Sequence, residues 1–261
     1  MQVWVQAIII SCGMINISSA NIYTGEKTTD IGLIKISQQL LLAAKTHEPT
    51  DSLVNVIRKI TEEELTEQLT TDNYKKVFWI NLYNAFTQLI LSKNPEKYKK
   101  RGSFFGDKQI QIAGRKLSLD DIEHGILRHS KIKWSLGYLN KLFPPGFEKR
   151  QRVDTLDYRL HFSLNCGARS CPPIAFYQPE QLGRQLDMAT KVYLQGDAEY
   201  FELENKVALP AIMGWFRRDF GGKKKMIALL QSLQIVPEEK NPAIKFKDYN
   251  WNLFLENYKS E

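Results

Sequence analysis

The stretch from Tyr74 to Leu91 most constrains what this chain can fold into. It carries Val77, Phe78, Trp79, Ile80, Leu82, Tyr83, Phe86, Leu89 and Ile90, so a helix built on it is apolar on nearly every side. Such a helix has no face to give to water and belongs in the middle of the protein. Three amides interrupt it: Asn81, Asn84 and Gln88 fall at i, i+3 and i+7 and share one stripe. A buried amide left unpaired costs on the order of 1–3 kcal/mol, so each needs a partner. Either they bind the backbone of a neighbouring loop, or they orient an imidazole or a carbonyl at a site.

The remaining segments suit a shell around that helix. With 261 residues, 43% hydrophobic and 25% charged, the chain has enough apolar side chains for one substantial core. Apolar spacing predicts helices over 30–46 and 52–60, and Thr61 with Glu64 forms a capping-box pattern opening a third. Ile110, Ile112 and Leu117 flank Ala113-Gly114 as two short strands and a tight turn. Ser118, with Asp121 three residues on, is placed to cap a helix running to about His129. Tyr158 to Leu164 alternates like a strand, Pro179 starts a helix reaching Leu194, and Tyr200 to Leu209 reads as a hairpin turning near Asn205. Helices first and strands late indicate an α+β fold, in which N-terminal helices surround a buried central helix packed on a small, mostly antiparallel sheet. Residues 21–261 form one globular domain in this reading. The net charge of +7 is scattered, with only short basic runs at 97–101 and 223–225, so it reads as solvated surface and not as a nucleic-acid footprint.

Residues 1–20 read as a signal peptide, because the mostly apolar Val3 to Ile17 is followed by Ser18-Ser19-Ala20. That places the protein in the periplasm or outside the cell; if the segment is not a signal, the protein is cytoplasmic. No Lys or Arg precedes the apolar run. Ile9-Ile10-Ser11-Cys12 also resembles a lipoprotein processing box, which would make Cys12 a lipid anchor. The run is short of the roughly 20 apolar residues a membrane span needs, so no span is expected. After cleavage at Ala20 the cysteines left are Cys166 and Cys171.

Chemistry concentrates between His161 and Pro173, where a strand-like segment runs into a turn rich in Gly and Pro. Cysteine is a nucleophile only as thiolate, so its pKa must be lowered by an imidazolium, a cation or a helix start. Cys166 has Arg169, the amides after Gly167 and His161 close in sequence, while Glu123-His124 supplies a second imidazole beside a carboxylate. Neighbours on a helix point about 100° apart, so Glu123 need not orient His124. Strand alternation would put His161 on the face of Ser163 and Asn165. The two cysteines suit four states: ordinary buried residues, a local disulfide, a nucleophile with an imidazole partner, or a zinc site completed by two histidines. Trp215 to Gly221 reads as a helix end packed on the core, with a site role for Asp219 as the sharper alternative.

Four blocks give the chain a resemblance to a known family: Phe78 to Ala85, Leu117 to Arg128, His161 to Pro173 and Trp215 to Gly221. Together they resemble domain-of-unknown-function family 547, over about residues 70–225. The resemblance implies a shared fold across that region and no established reaction. Its motif positions Asn81, Asn84, His124, His161, Cys166 and Arg169 are all present.

These readings lead to an exported thiol-dependent hydrolase or acyl transferase acting on a peptide, isopeptide or thioester, or on another small molecule. Cys166 is the nucleophile and His124 the base, with His161 the other candidate imidazole. Asn81, Asn84 or Glu123 orients the base, while Arg169, Asn165 and Tyr83 contact substrate. No cofactor or metal is required. The rival is a non-catalytic binding module whose cysteine-containing loop is structural. A thiol–disulfide redox protein is a third reading, disfavoured because four residues, and not two, separate the cysteines.

Overall fold

The structure, a computed structural model, describes residues 32–259. The signal-peptide reading of residues 1–20 and the lipid anchor at Cys12 lie outside the described residues. Four helices come first: α1 (Leu33–Thr46), α2 (Asp51–Lys59), α3 (Glu62–Gln68) and α4 (Asp72–Lys93). The capping box opens α3, with Thr61 and Glu64 each accepting from the other's backbone N–H. Every side chain of α4 from Val77 to Ala85 is buried, as a helix apolar on all sides requires, and α1 packs along it.

A short helix, α5 (Arg101–Gly106), leads into the antiparallel pair β1 (Ile110–Ile112) and β2 (Arg115–Leu117), which turns through Ala113 and Gly114 at positive φ. Ser118 and Asp121 then satisfy each other's backbone N–H groups. The helix they open is not the α-helix its cap suggested. Asp121–Leu127 is a π-helix, with Arg128 N–H donating to Glu123 O and Ser130 N–H to Gly125 O, five residues back. Such turns carry one residue more than an α turn and recur at functional sites.

The chain continues through α6 (Gly146–Gln151), a 3-10 turn at Tyr158–Phe162, α7 (Leu182–Asp197), β3 (Glu199–Phe201), β4 (Lys206–Leu209), α8 (Ala211–Trp215), α9 (Gly222–Ser232) and β5 (Ala243–Phe246). The Tyr158–Phe162 turn corrects the strand expected there. Asp157 accepts from the Arg159 N–H and tightens the chain, and Leu160 to Leu164 are all buried without alternation. The hairpin near Asn205 is present, antiparallel, and β5 adds to β4 in parallel. The fold is α+β, with two small sheets beside a mostly helical body.

Apolar side chains gather into two cores. The larger surrounds α4; the smaller joins Phe162, Val207, Leu209, Met213, Phe220 and Leu230 from the later elements. No helix among the described residues is long and apolar enough to cross a membrane.

Candidate active site

A cavity of about 340 Å³ opens at the seam between the two cores. Tyr83 from α4, Glu123 and His124 from the π-helix, His161 from the 3-10 turn and Cys166 from the loop after it all line it. Five of the residues singled out in the sequence therefore meet in one place. Trp215, Phe216, Tyr249 and Trp251 complete its aromatic walls. Trp215 and Trp251 stack at 5.4 Å, and the Arg101 guanidinium lies 4.8 Å from the Trp251 ring centre.

The loop carrying Cys166 is held from three sides. Asn84 donates to Ser163 O at 2.9 Å and accepts from Asn165 N–H at 2.8 Å, so the central helix grips the loop through its amide. Asn165 folds the loop on itself, accepting from Gly167 N–H and donating to Pro172 O. The C-terminal segment closes the outside, with Arg169 N–H donating to Asn252 O and Phe254 N–H to Gly167 O. Gly167 sits at φ 83°, and a Cβ there would come within 2.7 Å of a Leu91 methyl, so the close approach of loop to α4 needs glycine. Cys166 and Cys171 are joined by a disulfide, and Tyr249 OH lies 3.2 and 3.1 Å from their sulfurs. A disulfide sulfur carries no proton, so the phenol is the donor.

The two imidazoles are held differently. His124 Nδ1 lies 2.9 Å from an Arg128 guanidinium nitrogen, which only donates, so Nδ1 is the acceptor and Nε2 carries the proton, facing Asp120 at 3.5 Å. Its neighbour Glu123 stays 3.6 Å away and accepts instead from Tyr83 OH at 3.2 Å. His161 is stacked on Phe216 at 4.0 Å, and its Nε2 lies 2.9 Å from Asp219 Oδ2. That carboxylate fixes the proton on Nε2 and leaves Nδ1 with no hydrogen bond among the described residues. Burial pushes the His161 pKa below the ordinary histidine value, with the Arg128 charge adding to the effect against the opposing pull of Asp219. Burial thus favours the neutral imidazole. Burial also raises Asp219, but His161 and Arg128 together outweigh it and hold the carboxyl below its usual range.

The contacts differ from those expected. His124 has its acceptor nitrogen occupied, and neither Glu123 nor the central amides orient an imidazole. Asn81 donates to Ser37 Oγ and Tyr177 O and accepts from Tyr177 N–H, and it does not line the cavity. Arg169 is exposed, its guanidinium 5.3 Å from the Phe254 ring centre, and does not line the cavity. Asn165 and Asn84 shape the loop and do not face the cavity. Neither imidazole hydrogen-bonds the Cys166 sulfur, whose partners are Cys171 and Tyr249.

Sequence reasoning missed Arg128, fully buried and bonded to Asp219 Oδ2 at 2.7 Å, and favoured the packing reading of Asp219. One signal was available: Arg128 follows His124 by four residues, a helical neighbour. The aromatic pair Tyr249 and Trp251 comes from the closing segment, more than 75 residues after Cys166, and no local pattern ties it to the cavity. Among the described residues, no group of three or more His, Cys, Asp or Glu has the arrangement to hold a metal ion.

The model of a family described as protein of unknown function, DUF547, matches residues 66–194, and those residues belong to that family. The match takes in Tyr83, Glu123, His124, His161 and Cys166; Trp215, Asp219 and Tyr249 lie beyond it. No curated protein and no solved structure gives a significant match.

Proposed function

We propose that this DUF547 protein is a thiol-dependent hydrolase or acyl transferase, with Cys166 as nucleophile once its disulfide is reduced, His161 as base and Asp219 orienting that base. The carrying observation is that Cys166 and His161 line one cavity, with His161 Nε2 tied to Asp219 and Nδ1 left free. An acid holding an imidazole in one tautomer beside a nucleophile is the logic shared by unrelated acyl-transfer enzymes. A dithiol reductant supplies two electrons and two protons to open the disulfide. His161 then takes the Cys166 proton as the sulfur bonds to a carbonyl carbon, and returns it to the amine or thiol that leaves. Water, or an acceptor amine or thiol, releases the acyl group and restores the Cys166 thiol. A peptide, isopeptide or thioester with an apolar group beside the carbonyl suits the aromatic walls. Export remains part of this reading, and it makes reduction of the disulfide the controlling event.

Alkylation rates test the proposal. After reduction at neutral pH, Cys166 is expected to react with iodoacetamide much faster than Cys171, and His161→Ala to slow Cys166 selectively. Cys171→Ser should make Cys166 reactive without reductant. Equal, slow alkylation of both reduced thiols would end the catalytic reading.

One observation favours a second reading, a binding module with a structural disulfide: the sulfur engages Cys171 and Tyr249 and neither imidazole. In that case ligand binding in the cavity needs the disulfide intact and is lost when it is reduced.

A further inference from the structure

Ten residues beside the cavity expose more apolar surface than their neighbours require. Trp134, Leu142 and Phe143 are 76%, 87% and 94% exposed, and Tyr138 and Leu139 are about half exposed. Single exposed apolar side chains are ordinary, but a cluster of this kind marks an interaction site. The segment is not loose chain. Ile132 N–H donates to Leu139 O and Lys141 N–H to Ser130 O, so residues 130–141 close on themselves like a hairpin. Arg218 N–H donates to Leu136 O from beneath, and Gly137 lies against the Asp219 carboxylate with no room for a Cβ. Its base therefore rests on the group that orients His161.

Charge says what the surface meets. From 131 to 152 the chain carries Lys131, Lys133, Lys141, Lys149, Arg150 and Arg152 against Glu148. Asp120 pairs with Lys133, Glu148 with Lys141 and Glu62 with Arg150, so the surface keeps a net positive charge carried by Lys131, Lys149 and Arg152. A second copy of the chain packed on this face about a two-fold axis would set these cations against themselves. Tryptophan, tyrosine and phenylalanine interleaved with lysine instead match a membrane interface, where rings sit at headgroup level and lysines meet anionic lipid. At these exposures the side chains of Trp134, Leu142 and Phe143 project outward, which suits insertion into a fluid layer.

We propose that residues 134–143 form a membrane-attachment loop that inserts its aromatic and leucine side chains into the interface of an anionic bilayer, holding the cavity mouth at the lipid surface. This inference does not depend on the thiol chemistry above.

Vesicle co-sedimentation of the full chain tests it, using phosphatidylcholine alone and phosphatidylcholine mixed with phosphatidylglycerol. Binding is expected to the mixed vesicles, to weaken with added salt, and to fall roughly tenfold or more in the double variant Leu142→Ser with Phe143→Ser. The exposed Leu203→Ser, on the far hairpin, should leave it unchanged, with thermal midpoints equal throughout. Insertion is read separately from any other anchor by brominated-lipid quenching: emission lost between the full chain and Trp134→Phe should be quenched. Unquenched Trp134, or double-variant binding equal to the parent, overturns the proposal. So does a patch whose substitution changes only the sedimentation coefficient without vesicles, which would make it a contact between copies.

Discussion

The two cores grip the candidate site by opposite physics. On the α4 side the grip is neutral: the Asn84 amide holds the loop of Cys166 through two backbone hydrogen bonds, inside a helix sealed by hydrocarbon. On the other side it is ionic: Asp219, between Arg128 and His161, fixes the imidazole through charges that are themselves buried. Neutral bonds position a loop at any pH, whereas the ionic cluster changes with protonation. The sulfur and its candidate base are thus held by elements that respond differently to acid.

Several substitutions separate the two halves. Phe78→Ala in the centre of α4 should cost about 4 kcal/mol in urea unfolding, since a fully buried aromatic is lost and a cavity left. A loss below about 1 kcal/mol would mean that α4 is not the organising core. Asp219→Asn should cost about 3 kcal/mol near neutral pH, because it leaves the buried Arg128 charge uncompensated. Asp219 titrates below its usual 3.8 when folded, so its contribution is complete above that value and lost as pH falls through the folded pKa. The gap between parent and Asp219→Asn should therefore narrow only in strong acid.

Asn84→Ala should cost about 2 kcal/mol by stranding Ser163 O and Asn165 N–H, with the same loss at pH 8 and pH 5. A pH-dependent loss would dissolve the neutral-versus-ionic contrast. His161 gives a subtler effect. Its folded pKa lies below 6.5, so as pH falls beneath that value the unfolded chain takes up a proton the folded chain refuses, and stability declines. His161→Gln should flatten that slope in unfolding curves. The smallest effect is remote from both halves: Thr61→Ala should cost about 1 kcal/mol through the α3 cap, with alkylation of Cys166 unaltered.

Much of the first half was legible in the chain. Helical spacing, the Thr61 cap, the hairpin at Ala113-Gly114 and the buried character of Tyr74 to Leu91 each rest on neighbours in sequence. The same local logic failed at Tyr158 to Leu164, where alternation resembled a strand but a side-chain cap from Asp157 and burial on every side produced a 3-10 turn. It failed again after Ser118, whose cap is present but opens a π-helix. Of the candidate site, Cys166, His161, His124, Glu123 and Tyr83 were visible as residue types able to do chemistry. Their roles were not, because a role depends on what lies across the cavity.

By itself the sequence determined where helices start, which helix must be central, and which short segment carries the reactive side chains, since those follow from periodicity, caps and chemistry within a few residues. Only the tertiary structure decided that Asp219, 58 residues from His161, holds its ring, that Arg128 occupies His124, and that Tyr249 reaches the sulfurs. Burial makes these pairings: charges and hydrogen-bonding groups far apart in the chain must satisfy one another once water is excluded, and no local pattern records which ones will meet.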